Sequence, residues 1–168
     1  MIQALMQWVH NTQYAVNMRD SLWAYPIAEI LHLIGVMALF GSILLVDLRF
    51  IGVGRKMSAS RLSAGFLLRV TWAAFALIVM SGLSLFAAYA DDTIHSPIFL
   101  TKIMLIAAAG LNMGFFTFRV TTDMAGWDLG LPSPRAARLS AGLSIVLWTL
   151  TICAGRLIAY PEMFGIIK

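Results

Sequence analysis

The sequence predicts an all-α integral membrane protein: a four-transmembrane-helix bundle with an N-terminal interfacial amphipathic helix. Three observations carry the prediction. Four apolar runs each hold roughly 20 residues or more, enough to cross a ~30 Å hydrocarbon core at a rise of ~1.5 Å per residue. Apolar residues make up 60% of the 168-residue chain and charged residues 12%, against about half and a quarter in a soluble domain. Mean hydropathy is +0.84. Basic residues gather beside the ends of the runs, which suits membrane orientation better than nucleic-acid binding, despite a net charge of +4.

The elements follow in order along a single domain, residues 1–168. Residues 1–22 open with Ile2, Leu5, Met6 and Val9 at helical spacing, with Gln3, Gln7 and Asn11 between them and Trp8 alongside. That pattern suits a helix lying flat at the headgroup level. A basic leader, a long apolar centre and a small-residue cleavage site are missing from Met1 to Arg19, so the segment does not read as a cleavable signal. The spans are expected at about 25–48, 68–90, 98–118 and 139–160. Pro26 opens the first, Pro97 precedes the third and Pro161 follows the last, where a missing backbone donor is harmless. Trp23, Tyr25, Tyr89 and Tyr160 mark one interface.

Orientation follows from the charges. The loops around 52–67 and 120–138 lie on one side, with Arg49, Arg55, Lys56, Arg61, Arg69, Arg119, Arg135 and Arg138. The other side has Arg19 and Lys168 outside the spans. The positive-inside rule puts the basic loops in the cytoplasm and both termini outside. Asp47, Leu48 and Arg49 fall at the cytoplasmic end of span one, where Asp47 is expected to pair with Arg69 or Arg119. Gly110-x-x-x-Gly114, with Asn112 between, is a close-packing face of the kind that joins membrane helices or copies of a chain. Ser140-x-x-x-Ser144 and Ala38-x-x-x-Ser42 are weaker versions.

Glu29, His32, Lys102 and Arg156 are ionisable and lie within the runs. Glu29 falls ~6 Å and His32 ~10 Å past Tyr25, Arg156 ~6 Å before Tyr160, and Lys102 ~7 Å past Pro97. All reach a similar level of the outer leaflet, and the spacing of Glu29 and His32 gives them one helical face. A charge at mid-bilayer costs about 2.5–3.5 kcal/mol, somewhat less at this depth. The expected arrangement turns Glu29 inward to Lys102 or Arg156 with His32 beside them. Two readings stay open: a functional pocket, or a structural ion pair with Lys102 and Arg156 snorkelling to the surface.

Haem is the first cofactor to test, because helix bundles hold it through histidine. The pair His32 and His95 is the conceivable set of iron ligands, with Arg156 or Lys102 near the propionates. Two stacked haems are excluded because the inner half has no histidine, and no Cys-x-x-Cys-His exists for covalent attachment. Cys153 has no intrachain partner. The scattered methionines Met37, Met80, Met104 and Met113 read as core filling rather than copper ligands. No nucleophile elbow, phosphate-binding glycine loop or zinc motif appears. Asp91 and Asp92 read as a solvated outer turn, and Gly126 to Pro132 as a flexible loop.

Tyr25-Pro26-x-x-Glu29-x-x-His32-x-x-Gly35, Gly41, Asp47-Leu48-Arg49, Phe99-x-x-Lys102, Asn112, Trp148 and Gly155-Arg156-x-x-Ala159-Tyr160 together resemble a family of small bacterial four-helix membrane proteins of unknown function, DUF6644. The resemblance covers nearly the whole chain. It implies a fold similar to copper-resistance-D-like and b-type cytochrome membrane domains, and it brings no activity with it. The family pattern often places a histidine near the cytoplasmic end of span three. Here residues 112–119 carry none, which counts against haem rather than against the family.

The leading expectation is a non-catalytic subunit of a bacterial inner membrane, termini periplasmic, with an outer-leaflet pocket for haem b or quinone that also docks a periplasmic or membrane redox partner. His32 would ligate or hydrogen-bond the cofactor, Glu29 orient it or relay a proton, and Lys102 and Arg156 bind anionic groups. The competing readings are a small-anion carrier using Lys102 and Arg156, and a structural subunit of a homo-oligomer or larger complex. Membrane lipid is the expected surrounding partner, and nucleic acid is not expected.

Overall fold

The structure is a computed structural model that describes residues 1–53, 57–58, 66–120 and 131–160. Arg55, Lys56, Arg61, Pro161, Lys168 and the loop from Gly126 to Gly130 lie outside the described residues.

The amphipathic N-terminal segment is two helices rather than one: α1, Ile2–His10, and α2, Gln13–Asp20. The break has a local cause. The Thr12 side chain accepts a hydrogen bond from the Ala15 amide at 3.3 Å and donates to the Val9 carbonyl at 2.7 Å. It thus ends one helix and caps the next. On α1, Ile2, Leu5 and Trp8 are exposed, as a headgroup-level face requires. α2 buries Ala15 and Met18. Met18 packs with Ala28 and Ala88. Arg19 fixes the pair to the bundle, donating to the carbonyls of His10 at 2.9 Å and Ala88 at 2.8 Å.

Four long helices follow: α3, Ala24–Ile51; α4, Phe66–Ala88; α6, Pro97–Phe115, continued by a π-turn over Phe116–Val120; and α7, Arg135–Leu157. The short α5, Ala90–Ile94, joins α4 to α6. All four long helices are extended and apolar enough to cross a membrane. Their exposed Leu33, Met37, Val79, Met104 and Leu143 suit a surface solvated by lipid. The helix ends follow the local chemistry. Ser21 accepts from the amides of Trp23 and Ala24 at the start of α3. Gly52 closes α3 at φ 118°, a left-handed conformation that glycine adopts without strain. Ser96 caps α6, with Pro97 in its first turn.

The packing order is α4–α3–α7–α6, while α4 and α6 share no extended interface. α3 and α4 run antiparallel in a register readable from their contacts. Ser42 meets Thr71 through their hydroxyls at 2.8 Å, and His32 meets Ser81 at 3.1 Å. Between these pairs Gly35 lets the backbones close. A Cβ there would stand 2.8 Å from Ile78 Cγ1 and 3.4 Å from the Ala74 carbonyl. α6 and α7 are joined by Asn112, whose amide donates to the Ser140 carbonyl at 3.0 Å while its Oδ1 accepts from Ser140 Oγ at 3.0 Å.

Two packing expectations need correction. A Cβ on Gly110 or Gly114 would meet nothing within 4 Å, so that stripe makes no close contact within the bundle and only Asn112 between them does. Asp47 is held by Ser144 on α7 rather than by Arg69 or Arg119, whose side chains are exposed.

Candidate functional site

The site is built on the seam of α3. Ala28, Gly35, Leu39 and Ser42 are the buried residues along this helix from its first turn to its middle. His32 falls between Ala28 and Gly35 at the same helical spacing and is half-buried. Its Nδ1 lies 3.1 Å from Ser81 Oγ on α4. Ser81 Oγ also lies 2.6 Å from the Leu77 carbonyl, to which it donates its single proton. Ser81 therefore accepts from His32, which makes Nδ1 the protonated nitrogen of the neutral ring and leaves the lone pair on Nε2. Gly82 makes room for the imidazole, since a Cβ there would stand 3.1 Å from His32 Cε1.

Lys102 reaches the same region from α6. It is half-buried and interacts electrostatically with His32. Its stem lies along Gly155 of α7, where a Cβ would come 3.4 Å from Nζ and 3.6 Å from Cε. Glycine on α4 and glycine on α7 thus supply the space occupied by the two polar side chains. One turn outward from Lys102, Phe99 stacks on Phe86 of α4 with ring centroids 5.3 Å apart and planes at 16°. The stack links α4 and α6, which otherwise share no extended interface.

The other expected members do not join this pair. Glu29 is exposed, one residue beyond the buried Ala28, and interacts with Tyr25 one turn before it. Arg156 is exposed and turns outward: its Nη2 donates to Tyr160 Oη at 3.0 Å and its guanidinium lies 5.3 Å from that ring. This is snorkelling with a cation–π contact. His95 is exposed at the end of α5. The acid-to-cation pairing expected of Glu29 is therefore not formed. Ser81, Gly82, Gly155 and Phe86 belong to the site and were not singled out as site residues by the sequence.

No group of three or more His, Cys, Asp or Glu side chains able to hold a metal ion occurs among the described residues. Nε2 of His32 is the nitrogen that would hold a haem iron. On its Nδ1 and Cε1 side that imidazole is packed against Gly82, and His95, the second conceivable ligand, is exposed at the end of α5. An open apolar groove of about 600 Å³ lies between the first half of α6 and the last half of α7, lined by Ile98, Leu105, Leu150, Cys153 and Leu157 among others. It contains neither histidine.

Residues 14–161 match a family of unknown function, DUF6644, and the chain belongs to that family. No curated protein and no solved structure matches it.

Proposed function

We propose that this chain is a non-catalytic inner-membrane subunit whose outer-half site binds the polar head of a quinone and places it for electron exchange with a docked redox partner. The observation that carries this reading is that His32 on α3 and Lys102 on α6 are near enough to interact electrostatically, while α4 and α6 share no extended interface. A quinone carries two carbonyl oxygens on an apolar ring and tail. The Lys102 ammonium is a donor for such an oxygen, and the Nε2 lone pair is an acceptor for the hydroxyl of the reduced form. The unsealed side gives a lipid-soluble molecule a route from the bilayer. The Phe86–Phe99 stack links α4 and α6 one turn from Lys102. Bound quinone supplies the redox chemistry; His32 and Lys102 bind and orient its oxygens.

An orientation with termini and site on the periplasmic side is supported by the basic residues Arg49, Arg69, Arg119, Arg135 and Arg138 at the opposite helix ends. The purified protein tests the reading. Its organic extract is expected to contain quinone, and its visible spectrum to lack a Soret band and a dithionite-reduced α-band. A haem spectrum replaces quinone with haem. A clean extract, a flat spectrum and anion-dependent thermal stabilisation lost in Lys102→Met would favour an anion carrier instead.

A further inference from the structure

The inner half of the bundle holds an acid that the outer site does not use. Asp47 on α3 is 7% exposed. The Ser144 hydroxyl on α7 donates to its carboxylate, while the second oxygen, Oδ2, is buried and has no hydrogen-bond partner. The cations among the described residues do not fill that gap. Arg49, two residues on, is 1% exposed and directs Nε to the Met57 carbonyl at 2.6 Å and Nη1 toward Ser133 Oγ at 3.5 Å. Arg69, Arg119 and Arg138 have exposed side chains at other helix ends. Asn112 and Ser140, the nearby polar pair between α6 and α7, satisfy one another. Toward the cytoplasmic end, Phe50 packs with Ala137 and Ala141, backed by Val46, Ile51 and Phe116.

A carboxylate enclosed in this way, with a bare oxygen and no cation in contact among the described residues, is strongly disfavoured unless a positive charge joins it. We propose that Asp47 and Ser144 form a binding site for a small hard cation, a proton or a sodium ion, between α3 and α7. Oδ2 is the charged donor, and Ser144 Oγ supplies a second oxygen, as oxygen donors suit such ions. The bound cation ties α3 to α7, so its occupancy reads out as stability of the bundle. This site stands apart from His32 and Lys102 and does not depend on what they bind.

The test uses the full chain in detergent, comparing wild type with Asp47→Asn and Ser144→Ala. Sodium binding predicts a Tm that rises with sodium replacing choline at constant ionic strength. That rise is absent from Asp47→Asn, and Ser144→Ala needs roughly tenfold more sodium for the same rise. Proton binding predicts no sodium dependence. It predicts instead an infrared carbonyl band of a protonated carboxyl that shifts in D₂O, is lost in Asp47→Asn and moves in frequency in Ser144→Ala. Should Asp47→Asn fail to accumulate, Ser144→Ala alone decides between these outcomes. A wild-type protein with neither the sodium response nor the band overturns the proposal, as does either signal surviving unchanged in both variants.

Discussion

His32 owes its chemistry to Ser81. Because the serine proton is spent on the Leu77 carbonyl, the imidazole must donate through Nδ1, and Nε2 is the nitrogen left for a ligand. Ser81→Ala removes the orienting partner without touching the ligand. Loss of such a supporting contact typically weakens binding by about 10- to 100-fold at metal sites, and roughly tenfold weaker quinone binding with little change in Tm is expected here, read by calorimetric titration. Gly82 and Gly155 are a second residue-scale device, since each faces a polar side chain rather than backbone. Gly155→Val displaces the Lys102 stem and is expected to lower quinone affinity while leaving α7 helical by circular dichroism. The polar pair was legible in the sequence because an imidazole or an ammonium inside an apolar run stands out. Its supports were not, because serine and glycine are common in membrane helices whatever they touch. Glu29 and Arg156 misled for physical reasons. A one-residue step rotates a side chain by about 100°, enough to carry Glu29 from the buried Ala28 position to the exposed flank. Arg156 is the penultimate residue of α7, close enough to the surface to reach Tyr160.

At the scale of the helices, small residues matter only where a neighbour approaches. A Cβ on Gly35 would stand 2.8 Å from Ile78 Cγ1, so Gly35→Val forces α3 and α4 apart. The expected loss is about 1–3 kcal/mol, the usual range for overpacking, measured by reversible unfolding in mixed detergent. Gly114→Ala is expected to be neutral in the same assay, because a Cβ there meets nothing. Asn112→Ala removes both links to Ser140, with an expected loss of about 1–2 kcal/mol given the modest strength of interhelical hydrogen bonds in lipid. The spans themselves were readable from length and apolarity, with helix ends displaced by a few residues: α7 starts at Arg135, earlier than the apolar run, because arginine and alanine extend a helix beyond the hydrocarbon. Spacing alone could not tell that Gly110 and Gly114 face away while Asn112 between them faces α7. A small residue is compatible with either side, whereas an amide in lipid must find a partner. The division of residues 1–22 into two helices also escaped the periodicity, since it depends on the Thr12 side chain.

Across the whole molecule, His32 and Lys102 lie toward one end of the bundle, α4 and α6 share no extended interface, and basic residues gather at the opposite ends of the helices. The orientation predicts labelling of single cysteines by an impermeant maleimide in sealed right-side-out vesicles of a Cys153→Ser background. Asn11→Cys, exposed between α1 and α2, should react directly. Val53→Cys, exposed just past α3, should react only after the vesicles are opened. The central claim is that His32 and Lys102 together receive the head of a lipid-soluble quinone. Calorimetric titration of the purified chain with a short-chain quinone tests it most directly, using wild type, His32→Phe, Lys102→Met and Arg156→Gln. Saturable binding that falls at least tenfold in the first two variants and is unchanged in Arg156→Gln is the predicted result. Equal binding in all four proteins, or none in wild type, would contradict it.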